Sequence, residues 1–271
     1  MKTINNQQWG DVWNKDLHNY DPDAELDAIN YENAGVRCQK IIQYLCEQIG
    51  GLDGKQTIEI GCGGAIYSLI LARMGARPTL LDYSPDAIIL AKRNLDALGL
   101  QGELIEADVF NPPSDLIGRF DVAMSFGTVE HYRYPERLDI CRAHVKLLKT
   151  GGICIISTPN ILFLPHEILK AALIMKSKWF LGYEGSFSPV ELRKVGRKLG
   201  LRDMKVIGSS WRADFMRYVR IVSETNTYRR LLNFVGKDVG HTNNLISQKH
   251  HWLDDFLGHD IVLIGVKGDS N

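Results

Sequence analysis

With 271 residues, 45% of them hydrophobic, the chain holds enough apolar material to fold on its own as one large domain with insertions, or as a domain plus a cap. Lys plus Arg equals Asp plus Glu at 32 each, which excludes a global field favouring nucleic acid or an anionic surface; such a partner needs a local patch. The five cysteines (Cys38, Cys46, Cys62, Cys141, Cys154) show no CxxC spacing and point to buried thiols in a reducing compartment rather than to disulfides or a metal site.

Residues 1 to 50 read as helical, with Trp9, Trp13 and Tyr20 as aromatic anchors and seven acids against two bases through Asn33. The first residues carry no apolar core of the signal-peptide kind, so a cytoplasmic protein is expected. From about Lys55 the pattern alternates. Strands are predicted at 57 to 61, 77 to 82, 102 to 107, 120 to 126 and 152 to 158, with helices at 65 to 74, 85 to 98 and 135 to 148. Ser84 before Pro85 is a capped helix start and Gly99 a stop, while Lys149 to Gly152 closes a helix and turns into the fifth strand. An apolar segment over 161 to 182, read as a helix reaching Phe180 and Leu181, follows, then a helix from Ser188 to Gly200 and a strand at 201 to 208. Residues 209 to 258 interrupt the sheet and are basic at their start, and 260 to 267 read as a last strand. Alternation of this kind implies parallel strands with right-handed helical crossovers, hence an α/β doubly wound sheet. The division expected is a helical lid (1–50), a core (51–208) with a cap segment at about 161–187, an insertion (209–258) that is a substrate cap or an oligomer contact, and a last strand and tail (259–271).

The densest signal is Thr57 to Gly64, a β-prone run ending in Gly61, Cys62, Gly63 and Gly64, with Asp82 closing a second apolar run 21 positions after Gly61. Glycines there let the backbone approach a ligand where a Cβ would collide. A carboxylate at the end of the neighbouring strand can accept from both hydroxyls of a ribose. A nicotinamide dehydrogenase would need glycine at the sixth position of GxGxxG, where this chain has Ile66, and Glu59 ahead of the loop would repel a pyrophosphate.

Together with Ala107 and Asp108, the run from Phe120 to Gly127 and the run from Leu148 to Ile156, this loop and acid resemble the ordered motifs of class I S-adenosylmethionine-dependent methyltransferases. The resemblance covers roughly residues 30 to 208 plus the last strand. It implies a seven-stranded sheet whose last strand is antiparallel, and S-adenosylmethionine as cofactor with S-adenosylhomocysteine as product. Position by position, it implies that Gly61 and Gly63, flanking Cys62, approach the methionine part and that Glu59 orients its ammonium group. It further implies that Asp82 holds the ribose diol, that Tyr83 lies against the adenine, that Asp108 accepts from the adenine amino group with Val109 packing near the ring, and that Phe126 lines the cofactor.

A methyl group on a sulfonium is already activated, so such an enzyme chiefly aligns an acceptor and excludes water; a hydroxyl or ammonium acceptor benefits from a general base. His131, after the fourth strand, is the first candidate base, with Glu130 beside it; the alternative is that the pair braces the loop. The pair also resembles the ubiquinone-pathway O-methyltransferases, whose Glu-x-x-Glu-His run binds a divalent cation. Gly127 stands where the first of those glutamates would be, so no required metal is expected. Tyr20, Tyr132, Tyr183 and Trp211 are candidates for the acceptor side. The expected partner is a small-molecule acceptor, methylated on O, N or C, rather than nucleic acid. The charges in 161 to 182 argue against a spanning helix, leaving a substrate cap or dimer surface, with peripheral membrane contact as a lesser alternative. The chain is expected to be a monomer or homodimer. RNA or protein methylation, an inert cofactor-binding scaffold and an NAD-dependent oxidoreductase are the rival readings.

Overall fold

Each central strand carries apolar side chains on both faces, and that pattern builds the architecture. In the computed structural model, which describes residues 6–179, 181–223 and 250–268, the strands are β1 (Gln56–Ile60), β2 (Arg77–Asp82), β3 (Glu103–Glu106), β4 (Phe120–Phe126), β5 (Leu148–Pro159), β6 (Leu201–Gly208) and β7 (Asp260–Lys267). They form one sheet in the order β3-β2-β1-β4-β5-β7-β6, parallel throughout except for β7, which runs antiparallel to both its neighbours. Val122 and Met124 pack on one face with Leu69, Ile153 and Ile155, while Ala123 packs on the other with Ile58, Cys154 and Ile140. Side chains alternate across a strand, so two apolar layers follow directly from a near-continuous apolar run.

The helices are α1 (Asn6–His18), α2 (Pro22–Ala34), α3 (Val36–Ile49), α4 (Ile66–Ala72), α5 (Pro85–Ala97), α6 (Glu136–Leu147), α7 (Leu164–Met175), α8 (Pro189–Lys198) and α9 (Trp211–Ser223), with one further helical turn at Asp254–Leu257. Ser84 and Ser188 cap α5 and α8 by accepting from Ala87 N–H and Glu191 N–H, each with proline in the first turn. α3 sits in the main core through Cys38, Ile41, Tyr44 and Leu45, whereas α1 lies along α5. Arg37 at the start of α3 ties this segment to the far end of the chain. Its guanidinium meets Asp260 of β7 at 2.7 Å, Glu32 at 3.0 Å, the Tyr67 hydroxyl at 2.7 Å and Ser157 of β5 at 3.2 Å.

Two expectations need correction. Strand β5 begins at Leu148, directly after α6, because the buried Leu148 pairs with Phe120; the residues from Lys149 to Gly152 then form a register shift within the strand, with Gly151 left-handed (φ 77°), not a separate turn. The apolar segment after β5 is helical only over Leu164–Met175, starting at Pro165 in its first turn and stopping before Ser177, whose φ is 52°. The insertion at 209–258 is described only at its ends, where α9 and the Asp254–Leu257 turn lie; residues 224–249 are outside the described residues. Four of the cysteines are buried, Cys46 is exposed, and all five are free thiols. Among the described residues no helix is long and apolar enough to cross a membrane.

α7 and α9 are stitched to the sheet by a buried polar chain. His166 of α7 bonds through Nδ1 to the Tyr218 hydroxyl of α9 (2.6 Å) and through Nε2 to Glu184 (2.7 Å), and the same hydroxyl lies 2.9 Å from Nε2 of His259, just ahead of β7.

Candidate active site

β1, β2 and β4 all point their carboxyl ends at one cavity, the place where a doubly wound sheet leaves a crevice as its strand order reverses. Gly61, Leu81, Asp82, Tyr83, Asp108 and Val109 line it from the first three strands, and Gly127, Thr128, His131 and Tyr132 from the loop after β4. Trp9 and Trp13 of α1 complete the wall.

Asp82 is held rather than free to swing. Its Oδ2 accepts from the Gly63 N–H (3.1 Å) and its Oδ1 from the Ser84 N–H (3.0 Å), while burial, opposed by these bonds, raises its pKa. Asp108 is fixed in the same way by the Phe110 N–H (2.9 Å). Two oriented carboxylates thus face one cavity from adjacent strand ends.

The loop glycines have reasons within the protein itself. Gly61 (φ 64°) and Gly63 (φ 47°) are left-handed, and each is also crowded. A Cβ on Gly61 would lie 2.7 Å from Thr128 Cγ2, and one on Gly63 would lie 2.5 Å from Cη2 of Trp13. Thr128 also donates to the Ile60 carbonyl at 3.3 Å, which locks the β4 loop on the glycine loop. Trp13 covers Gly63 on the side where a ligand would approach, stacks at 6.0 Å with Trp9, and Trp9 meets the His131 imidazole edge-on at 4.8 Å. These tryptophans are the site residues that sequence reasoning missed as such. Their i, i+4 spacing in a polar helix marks them as anchors without saying to what.

His131 has a defined orientation. Its Nδ1 is 3.0 Å from the Tyr183 carbonyl oxygen, which can only accept, so Nδ1 carries the proton and Nε2 is the basic nitrogen of the neutral ring. Burial lowers the imidazole pKa, partly offset by that hydrogen bond and by Glu184. Glu130 is 2% exposed, and its Oε2 has no hydrogen-bond partner. Burial first, then the charges of Glu184 and Asp260, push its carboxyl up to about 8, so at neutral pH the group is mostly protonated.

Other candidates lie elsewhere. Glu59 turns to α4, where its Oε2 accepts from the backbone N–H (3.0 Å) and hydroxyl (2.6 Å) of Ser68; burial raises its pKa to about 7. Cys62 is buried in the core beneath the loop, and Phe126 stacks on Tyr67 at 3.6 Å between centroids. The Tyr183 ring lies under Arg133, 3.8 Å from its guanidinium carbon, and Tyr20 packs beside Arg93. Trp211 packs against His251. None of these seven, Glu130 included, is among the residues lining the cavity, whereas Tyr132 is.

Residues 58–152, which carry the glycine loop, both carboxylates and His131, match the family model of a methyltransferase domain. This segment is a methyltransferase domain. A ubiquinone biosynthesis O-methyltransferase of Escherichia coli is 34% identical over 117 residues, 43% of this chain and 48% of that protein, so the chain spans about half the length of the curated relatives it matches. Among solved structures, phosphoethanolamine N-methyltransferase 2 of Haemonchus contortus in complex with S-adenosyl-L-methionine superposes with a TM-score of 0.56 at 15% identity, over 85% of this chain and 53% of that one. The magnesium protoporphyrin IX methyltransferase of Synechocystis with bound S-adenosylhomocysteine gives 0.53 at 14%, over 85% and 81%. At such identities the likeness is one of fold; the sheet here has seven strands, of which β7 alone runs antiparallel to its neighbours.

Proposed function

We propose that the chain transfers a methyl group from S-adenosylmethionine to a small-molecule acceptor, with His131 as general base. The observation that carries this reading is the single cavity faced by the anchored carboxylates of Asp82 and Asp108 and by His131 with Nδ1 already committed. The donor set fits the cofactor. Asp82 keeps acceptor lone pairs for a ribose diol, and Asp108 keeps one for an adenine amino group next to Val109 and Tyr83. When bound, S-adenosylmethionine supplies a methyl carbon on a sulfonium that needs no further activation. The remaining work falls to the chain: Trp9, Trp13 and Tyr132 exclude water, and the His131 Nε2 takes the proton that a hydroxyl or ammonium acceptor gives up. The α7 and α9 segments, tied over the ends of β5 and β7, are the proposed acceptor-side cover. We place the enzyme in the cytoplasm.

His131→Ala is expected to lower turnover about a hundredfold or more at saturating cofactor, the range of general-base catalysis, with cofactor affinity nearly unchanged. Because burial lowers the imidazole pKa, the wild-type rate should already reach its plateau by neutral pH and fall only on acidification, as Nε2 becomes protonated. A methyl-acceptor screen with labelled cofactor supplies the assay, and a fully active His131→Ala would leave the residue as a loop brace.

Trp13 and the methionine end of a cofactor compete for the face of Gly63. Titration with S-adenosylhomocysteine should therefore move Trp13 and change tryptophan fluorescence. Trp13→Phe should abolish most of that change, and an undiminished signal in the variant would show that another tryptophan responds.

A further inference from the structure

Arg137, on α6, is 5% exposed and does not touch the cavity, yet its hydrogen bonds run to the two loops that hold His131. Its Nε donates to the Tyr132 carbonyl (2.9 Å), and its Nη2 donates to the Gly185 carbonyl (2.8 Å), the Tyr183 hydroxyl (3.3 Å) and the Glu130 carbonyl (3.4 Å). The carbonyls on either side of His131 and the one two residues beyond Tyr183 thus converge on one guanidinium. The loops also meet directly, through the Gly185 N–H to the Glu130 carbonyl at 2.9 Å. Gly185 has no alternative at this junction, since a Cβ would overlap Nη2 of Arg137 and the Tyr183 hydroxyl. The cation is stacked on the Phe187 ring, 4.3 Å from its centroid, and has Glu191 at 3.6 Å on its outer edge. Its charge is therefore spent mainly on backbone oxygens, which a planar fork with five donors satisfies at fixed angles.

We propose that Arg137 is the positioning residue for His131: by clamping the 130–132 and 183–185 loops together it keeps the Tyr183 carbonyl on Nδ1 and so sets which nitrogen of the imidazole is basic. This rests on the reading of His131 as the base. A neutral imidazole in a loose loop divides between two tautomers, and only the one protonated at Nδ1 offers Nε2 to an acceptor. Lysine places three donors around one point and cannot reach carbonyls on both loops with the same geometry, so Arg137→Lys is a strong change here.

The test is ring-nitrogen NMR of the free protein, with His131 assigned by its loss in His131→Gln. In the wild type the spectrum should show Nδ1 protonated and Nε2 pyridine-like. In Arg137→Lys, checked for folding by its thermal transition, a mixture of tautomers should appear and the His131 pKa should move toward the ordinary value of about 6.5. An Arg137→Lys protein that folds and keeps the wild-type tautomer and pKa would overturn the proposal. So would a wild-type ring protonated at Nε2, a result that needs no variant at all. Neither measurement needs cofactor or acceptor, so an active His131→Ala would remove the base while leaving the positioning result standing.

Discussion

Asp82→Asn is expected to bind S-adenosylhomocysteine about ten- to a hundredfold more weakly than the wild type, the consequence of losing charge-assisted hydrogen bonds of about 1.5 to 3 kcal/mol. The ribose diol brings two donors, and only an anionic carboxylate can accept both while also accepting from the Gly63 and Ser84 N–H groups, as Asp82 does. The asparagine amide must turn a donor toward one of these four partners. Titration calorimetry measures the loss, and unchanged affinity would take Asp82 out of the site. A pH dependence accompanies it. Binding needs the charged form, and burial raises the Asp82 pKa above its ordinary value of 3.8, so wild-type affinity should fall on acidification at a higher pH than a solvent-exposed aspartate would give.

Glu130→Gln should stabilise the fold at alkaline pH and change little in acid. The unfolded carboxyl ionises near 4.5, whereas in the folded chain burial holds the proton up to about 8. Between these values the folded state binds more protons than the unfolded one, so wild-type stability declines as pH rises through that window and levels off above it. Glutamine resembles the neutral form at every pH. Near pH 4 the two proteins should melt together; at pH 9 the variant should melt higher, by at least about 5 °C if a few kcal/mol of charge burial are relieved. Glu59, which protonates near 7 in the fold, has the same sign, so a shallower decline should persist in the variant. Melting curves at several pH values decide the matter, and a constant difference between the proteins would mean that the Glu130 carboxyl titrates alike in the folded and unfolded chain.

What sequence made readable was set by local chemistry. Ile58, Leu80 and Ile155 sit in runs buried on both faces, which mark central parallel strands whatever their partners. Ser84 with Pro85 and Ser188 with Pro189 announce helix starts through bonds that span three residues. Asp82, Asp108 and His131 follow strands, so their convergence is a consequence of parallel topology and could be anticipated. Glu59 could not be placed in this way, because its carboxylate is spent on Ser68 of the next helix, a choice between neighbours that spacing leaves open. Trp13 over Gly63 and Thr128 against Gly61 depend on α1 folding back along α5 and on the height of the β4 loop. Arg137 was invisible for a similar reason. Its acceptors are backbone carbonyls, which every residue has, on a loop some fifty positions away as well as on its own.

The strand order carries a consequence for the birth of the molecule. β6 has β7 as its sheet neighbour, and β7 in turn fills the gap beside β5. While the chain is being synthesised, β6 therefore leaves the ribosome with no edge to join, and Arg37 and Glu32 stand together without the aspartate that completes them. The arrival of Asp260 and the strand behind it closes the sheet and gives that cation its second carboxylate in one event. The nascent protein should stay dependent on its last strand until translation has passed it, however early the glycine loop and its neighbours have formed.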